Sequence, residues 1–131
     1  MAGHLKAQAI QPELVLCSPS LRTRQTLARI VSAVGDSEVG IEDVLYEAEA
    51  AEILVRLRQI HDGIGSVMIL GHNPGLQDLA LELAADGHAL PRVRAKFPTA
   101  ALATLEFEGS WHDLAPRGAH LTAYVVPKEL P

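Results

Sequence analysis

Apolar residues fall along this chain in three patterns. Leu14-Val15-Leu16-Cys17 and Val67-Met68-Ile69-Leu70 are apolar at every position, which predicts strands buried on both faces in a parallel sheet. Helical spacing governs the segments around them. Leu27, Ile30, Val31 and Val34 form a stripe that Gly35 ends. Ile53, Leu54, Leu57 and Ile60 predict a helix over Ala48 to His61, with Glu49 and Glu52 near its start and Arg56 and Arg58 near its end. Leu79, Ala80 and Leu83 mark a further helix ending near Gly87. Leu5 to Gln11 reads as the tail of a helix, with Leu5, Ala9 and Ile10 on its apolar side and no capping signal before it. Strict alternation begins at Ala100. Ala101, Ala103, Leu105 and Phe107 fall on one face and Leu102, Thr104 and Glu106 on the other, a half-buried strand. Glu108-Gly109-Ser110 then turns the chain, and His120 to Val126 supplies a last strand that Pro127 stops. Asp36 to Asp43 reads as a loop. Together these segments predict one α/β domain over residues 1–131: a largely parallel sheet flanked by helices, with an antiparallel pairing near the C-terminus.

Composition narrows the function. At 131 residues and 14.0 kDa the chain supports one domain with one core. Its 48% hydrophobic and 21% charged content excludes a disordered chain, and its apolar runs fall far short of a membrane span. Eleven basic against sixteen acidic side chains leave a net charge of −5, which argues against nucleic acid bound by bulk charge, so an anion site must be local. Cys17 is the single cysteine, which excludes an internal disulfide, and no zinc-type Cys/His spacing occurs. No secretory signal is legible at the start, so the cytosol is the expected compartment.

Candidate chemistry sits at two strand-to-helix junctions. Ser18-Pro19 follows the first apolar run and Asn73-Pro74 the second. Ser18 reads as a cap and Pro19 as the first helical residue. Ligands of open α/β sheets bind beyond the carboxyl ends of the strands, where helix N-termini present free amides to anions. Arg22 lies one turn into the first helix and His72 at the end of the second strand. A guanidinium fork binds two phosphate oxygens, and a histidine binds phosphate as a cation or moves a proton.

The segments Leu14-Val15-Leu16-Cys17-Ser18-Pro19-Ser20-Leu21-Arg22-Thr23-Arg24-Gln25-Thr26 and Val67-Met68-Ile69-Leu70-Gly71-His72-Asn73-Pro74-Gly75 resemble the histidine phosphatase superfamily, also called phosphoglycerate mutase-like, in its SixA-type phosphohistidine phosphatase branch. Phe97-Pro98-Thr99-Ala100-Ala101-Leu102, Trp111 and Val126-Pro127-Lys128 extend the likeness over essentially the whole chain. The resemblance implies a transfer through a phosphohistidine intermediate without metal or cofactor, with Arg22 and His72 on the phosphoryl oxygens. Larger relatives place a carboxylic proton donor after the second loop, where Leu45-Tyr46-Glu47 offers Glu47. A phosphorylated protein or a small phosphorylated metabolite is the implied partner.

The resemblance also implies a residue that is missing. Family members open with a strand ending in Arg-His-Gly, whose His is the nucleophile, followed by a loop and the first part of a helix. No Arg-His pair occurs in this sequence, and residues 1 to 11 correspond to the end of that helix. His4 stands on it, away from any strand end. The expectation is a domain incomplete at its N-terminus and short of a core strand, with Met1 an internal methionine of a longer protein. A fragment or a pseudophosphatase that only binds phosphate is the alternative. Such a chain is expected to be inactive alone and to self-associate through unpaired strand edges.

Other residues read more simply. Cys17 and Arg22 bracket a turn as in cysteine phosphatases, but that cradle needs about five intervening residues and this chain has four. Cys17 is therefore expected to be a small buried hydrophobe. Arg24 is expected at the surface, and Arg92, Arg94 and Lys96 in a solvated basic stretch that could receive an acidic surface. His61, His88, His112 and His120 lack motif partners. Trp111 and Phe107 read as core, and Glu47 as a helix-start carboxylate.

Overall fold

The computed structural model describes residues 1–130. Its centre is β1 (Leu14–Cys17), whose four side chains are all buried. Parallel partners flank it on both sides, β2 (Glu38–Ile41) and β3 (Val67–Leu70), giving the order β2-β1-β3. A second sheet of β4 (Ala84–Asp86), β5 (Leu102–Glu106) and β6 (Ala119–Val125) has the order β4-β6-β5, with β4 parallel and β5 antiparallel to β6. Helices α1 (Ala2–Ala7), α2 (Leu21–Ile30), α3 (Ala50–Arg58), α4 (Gly75–Leu83) and α5 (Leu90–Ala95) complete the fold. The result is the α/β architecture that the apolar pattern predicts, mostly parallel strands flanked by helices.

Alternation along β1 sends its side chains to two layers. Val15 packs with Leu5, Ile30, Ala33 and Val34 from α1, α2 and the turn after α2. Leu14 and Leu16 pack on the opposite face with Ile53, Leu54, Leu57, Leu79 and Leu83 from α3 and α4. Among the described residues no helix is long and apolar enough to cross a membrane.

Several elements depart from expectation. Helix α1 stops at Ala7 and Ala9 takes a left-handed φ of 52°, so the predicted tail to Gln11 is not helical. Helix α2 begins at Leu21, capped by Ser20, whose hydroxyl accepts from the Thr23 amide, so Ser18 is not the cap. Val31 lies beyond its end and is exposed. Asp36 to Asp43 contains β2 rather than a loop only, because that edge strand takes its backbone pairing from β1. Strand β4 and helix α5 are also additional. Each is short, and α5 carries Pro91 at a first-turn position, where a missing amide costs no helical bond.

The largest departure concerns β3. Its four side chains are all only partly buried, where a doubly buried strand was expected. Strand β3 is the last strand of its sheet and β5 the last of the other, and a groove of about 730 Å³ runs between them. Val67, Met68 and Ile69 line one side and Leu102 to Glu106 the other. The two strands run in opposite directions. The Asn73 side-chain Nδ2 donates to the Phe97 carbonyl at 2.6 Å, joining the residues after β3 to those before β5. The Trp111 indole donates to the Ile64 carbonyl at 2.7 Å, joining the residues after β5 to those before β3. Two strand edges with open backbone donors and acceptors therefore face one cleft about 13 Å long, at ~3.3 Å per residue of β3.

Candidate functional site

The loops after β1 and β3 meet at the carboxyl end of the first sheet. Ser18 is wholly buried, and its backbone amide donates to the Leu70 carbonyl at 2.9 Å, prolonging the β1–β3 pairing by one bond. Its hydroxyl lies 2.7 Å from His72 Nε2. This bond engages one ring nitrogen and leaves Nδ1 for another partner. A Ser–His contact of this length suggests a nucleophile and its base, but a serine with no exposed surface cannot reach a substrate. Ser18 instead holds the imidazole. Thr23 in turn donates from its hydroxyl to the Ser18 carbonyl at 2.7 Å, so the first turn of α2 is latched to the strand end.

Arg22 is the second residue of α2, one turn from Ser18, with its side chain exposed. No carboxylate pairs with it among the described residues. The Leu21 and Arg22 amides at the start of α2 lie beside these residues, whereas at the start of α4 the Leu76 amide donates to the His72 carbonyl and the Gln77 amide to Asn73 Oδ1. Gly75 opens α4, and a Cβ there would sit 2.1 Å from the Ala48 carbonyl oxygen. Only glycine admits that approach, which docks the Tyr46-Glu47-Ala48 segment against the start of α4. Tyr46 makes a T-shaped contact with His72, the ring centroids 5.8 Å apart. Glu47 follows with a left-handed φ of 49° and an exposed side chain. It precedes α3 rather than starting it. The helix start belongs to Glu49, which forms a reciprocal capping box with Glu52.

Electrostatics separate the residues further. Burial pushes the Cys17 thiol up, offset in part by its Thr23 hydrogen bond and the Arg24 charge, so a thiolate nucleophile is disfavoured. The Glu42 carboxyl is held low by the Arg56 guanidinium, which binds it with two bonds of 2.6 and 2.8 Å. Glu42 also donates its amide to the Cys17 carbonyl at 2.9 Å, so this ion pair ties α3 to the end of β1.

The structure thus brings His72 and the Ser18–Arg22 turn together, with Tyr46 and Glu47 on an adjoining loop. Ser18 and Tyr46 were not legible as site residues. Ser18 reads as a helix cap from its place before Pro19, and an exposed tyrosine in a loop carries no motif. His120 pairs with Asp86 at 2.7 Å on the second sheet, and His61 Nδ1 accepts from the Gly63 amide at 2.9 Å. Chemically, a cationic fork, an oriented imidazole and the first amides of α2 suit a tetrahedral oxyanion.

Comparison with known proteins bears on the family and the fold. No protein-family model matches the chain. The protein MT1313 of Mycobacterium tuberculosis is 32% identical over 130 residues, 96% of this chain and 80% of that protein. ML1117 of Mycobacterium leprae is 32% identical over 129 residues, 96% of this chain and 78% of that protein. Among solved structures, a protein assigned as phosphohistidine phosphatase SixA from Nakamurella multipartitia superposes with a TM-score of 0.78 at 29% identity, covering 96% of this chain and 77% of that one. The protein histidine phosphatase SixA in complex with tungstate gives 0.77 at 24% identity, covering 99% and 78%, a likeness of fold. The chain belongs to the same family as these mycobacterial proteins, within the histidine phosphatase superfamily.

Proposed function

We propose that this chain is the phosphate-binding part of a phosphohistidine phosphatase. Arg22 and His72 hold the phosphoryl oxygens, assisted by the N-terminal amides of α2. A histidine attacks phosphorus as the bond to the substrate imidazole nitrogen breaks, and that nitrogen takes a proton. Water then attacks the phosphohistidine and releases phosphate. Glu47 is the candidate proton donor. Protonation of the leaving nitrogen of a phosphoramidate reduces the need for one.

The observation that carries this reading is the 2.7 Å contact between Ser18 and His72, which joins the turn bearing Arg22 to the strand end bearing His72. The SixA structure with tungstate, a tetrahedral oxyanion like phosphate, supports it. The attacking histidine is proposed to lie outside this chain. No Arg-His pair occurs in the sequence, and both Ser18 and Cys17 are buried. The groove between β3 and β5 supports a seat for one further strand. Its upper end is lined by Leu76 and Phe97, next to Asn73, so a strand parallel to β3 would deliver its carboxyl end to the site.

Phosphate release from a phosphohistidine protein tests the proposal. The 131-residue chain is expected to release none above background, and the chain extended by its upstream coding sequence to turn over. Turnover by the unextended chain, or an in-frame stop codon directly before Met1, overturns it.

A further inference from the structure

A second cavity opens at the opposite end of β3 from the oxyanion site. It measures about 310 Å³ and lies where Asp62, Ile64 and Gly65, before β3, face Phe107, Ser110 and Trp111, after β5. The oxyanion site stands on the carboxyl end of β3, so the length of that strand, ~13 Å at ~3.3 Å per residue, separates the two. The volume is at the lower end of the range of small-molecule sites.

Two aromatic rings supply its apolar wall. Phe107 and Trp111 meet edge to face with centroids 4.8 Å apart. Both pack on the core and stay partly exposed. The Trp111 indole N–H is spent on the Ile64 carbonyl, which fixes the ring. The polar groups beside these rings call for a donor. Asp62 is exposed, carries the one charged side chain of the lining and pairs with no cation among the described residues. The Ser110 hydroxyl donates to Asp113 Oδ2 at 3.2 Å, which leaves its oxygen as an acceptor. The Gly65 amide donates to Glu13 Oε1 at 3.1 Å, so that donor is spent too and a second carboxylate stands at the margin. An anion would meet carboxylates and occupied donors, and a neutral apolar ligand would leave Asp62 unused. Ring faces beside an unpaired carboxylate recognise a cation on an apolar stem.

We infer that this cavity binds an organic cation, an ammonium or guanidinium on a short aliphatic stem, with the stem against Phe107 and Trp111 and the charge at Asp62. Two sources supply that chemistry. One is a free amine or guanidine in solution. The other is a basic group at the start of the strand proposed to fill the groove between β3 and β5, since Gly65, Phe107 and Trp111 line both cavities and a strand parallel to β3 would enter there. Only this second source rests on the reading given under Proposed function.

Trp111 is the single tryptophan, so its emission reports on this cavity. The 131-residue chain is titrated at constant ionic strength with butylguanidinium, which stays charged throughout, and with pentanol as a neutral control of similar length. A saturable change is expected, with the cation about tenfold tighter than pentanol. Asp62→Asn, a surface substitution, should weaken the cation about tenfold and leave pentanol and the unfolding midpoint unchanged. Equal affinity for the two ligands, no saturable change with the cation, or wild-type affinity in Asp62→Asn overturns the inference. The same titration of the chain extended by its upstream coding sequence separates the sources. Retained affinity assigns the cavity to a free cation. Lost affinity, with emission already shifted as in the saturated shorter chain, assigns it to the added segment. Lost affinity without that shift means that the segment merely covers the cavity, and overturns the inference. None of these results bears on the phosphoryl site, which phosphate release tests separately.

Discussion

Ser18 and His72 stand 54 positions apart in sequence and 2.7 Å apart in space, and the proposed chemistry depends on that contact. In the extended protein, Arg22→Ala and His72→Ala should each lower phosphatase turnover by about a hundredfold or more, the scale of losing one preorganised donor to a developing charge. Cys17→Ser should retain most activity, since the thiol is buried and pushed toward its neutral form. For the same reason Cys17 should react with a thiol reagent only when the protein is unfolded; rapid reaction of the native protein would contradict this. Arg22 and His72 were legible because each belongs to a junction with a recognisable grammar of strand, polar residue and proline. Ser18 was misread, because a serine before Pro19 is locally indistinguishable from a cap. Only the fold brings its hydroxyl to an imidazole from another strand.

At the level of elements, the start of α4 and the ion pair between Glu42 and Arg56 hold the site loops in register. Gly75→Ala should destabilise the fold by about 2 kcal/mol, the scale of overpacking, because the added methyl meets the Ala48 carbonyl. Denaturant midpoints measure it. Glu42 has a lowered pKa in the folded protein, so its contribution is complete above its ordinary value of 4.5 and fades as the pH falls through the folded value. Arg56→Ala should therefore cost stability at neutral pH and little once the carboxyl is protonated in both states. Equal losses at pH 7 and in acid strong enough to protonate Glu42 in both states, on the order of 1 kcal/mol each, would contradict that. The elements with a clear apolar pattern were legible: β1 from its unbroken apolar run, and α3 from Ile53, Leu54 and Leu57, all buried as expected, with Ile60 buried just past its end. The edge strand β2, the three-residue β4 and α5 were not. These elements take their conformation from pairing and packing partners, and their own residues carry too little periodicity to announce it.

For the whole molecule, the groove between β3 and β5 decides most. Its two open edges should make the chain alone self-associate, with sedimentation showing concentration-dependent oligomers. A single monomeric species with a sharp thermal transition would count against that. The apolar run Val67 to Leu70 predicts a strand covered on both faces, yet its residues are only partly buried beside the groove. A sequence pattern reports the burial a strand is built for; the chain's own packing decides how much of it is reached. The most direct test is to capture the covalent intermediate. Protein extended by its upstream coding sequence is mixed with a phosphohistidine donor, quenched in base, and the phosphoryl group located by mass spectrometry. The account predicts phosphohistidine in the added segment, lost when that histidine is changed to alanine. Phosphoryl found on His72, Ser18, Cys17 or any other residue of the 131-residue chain would contradict it.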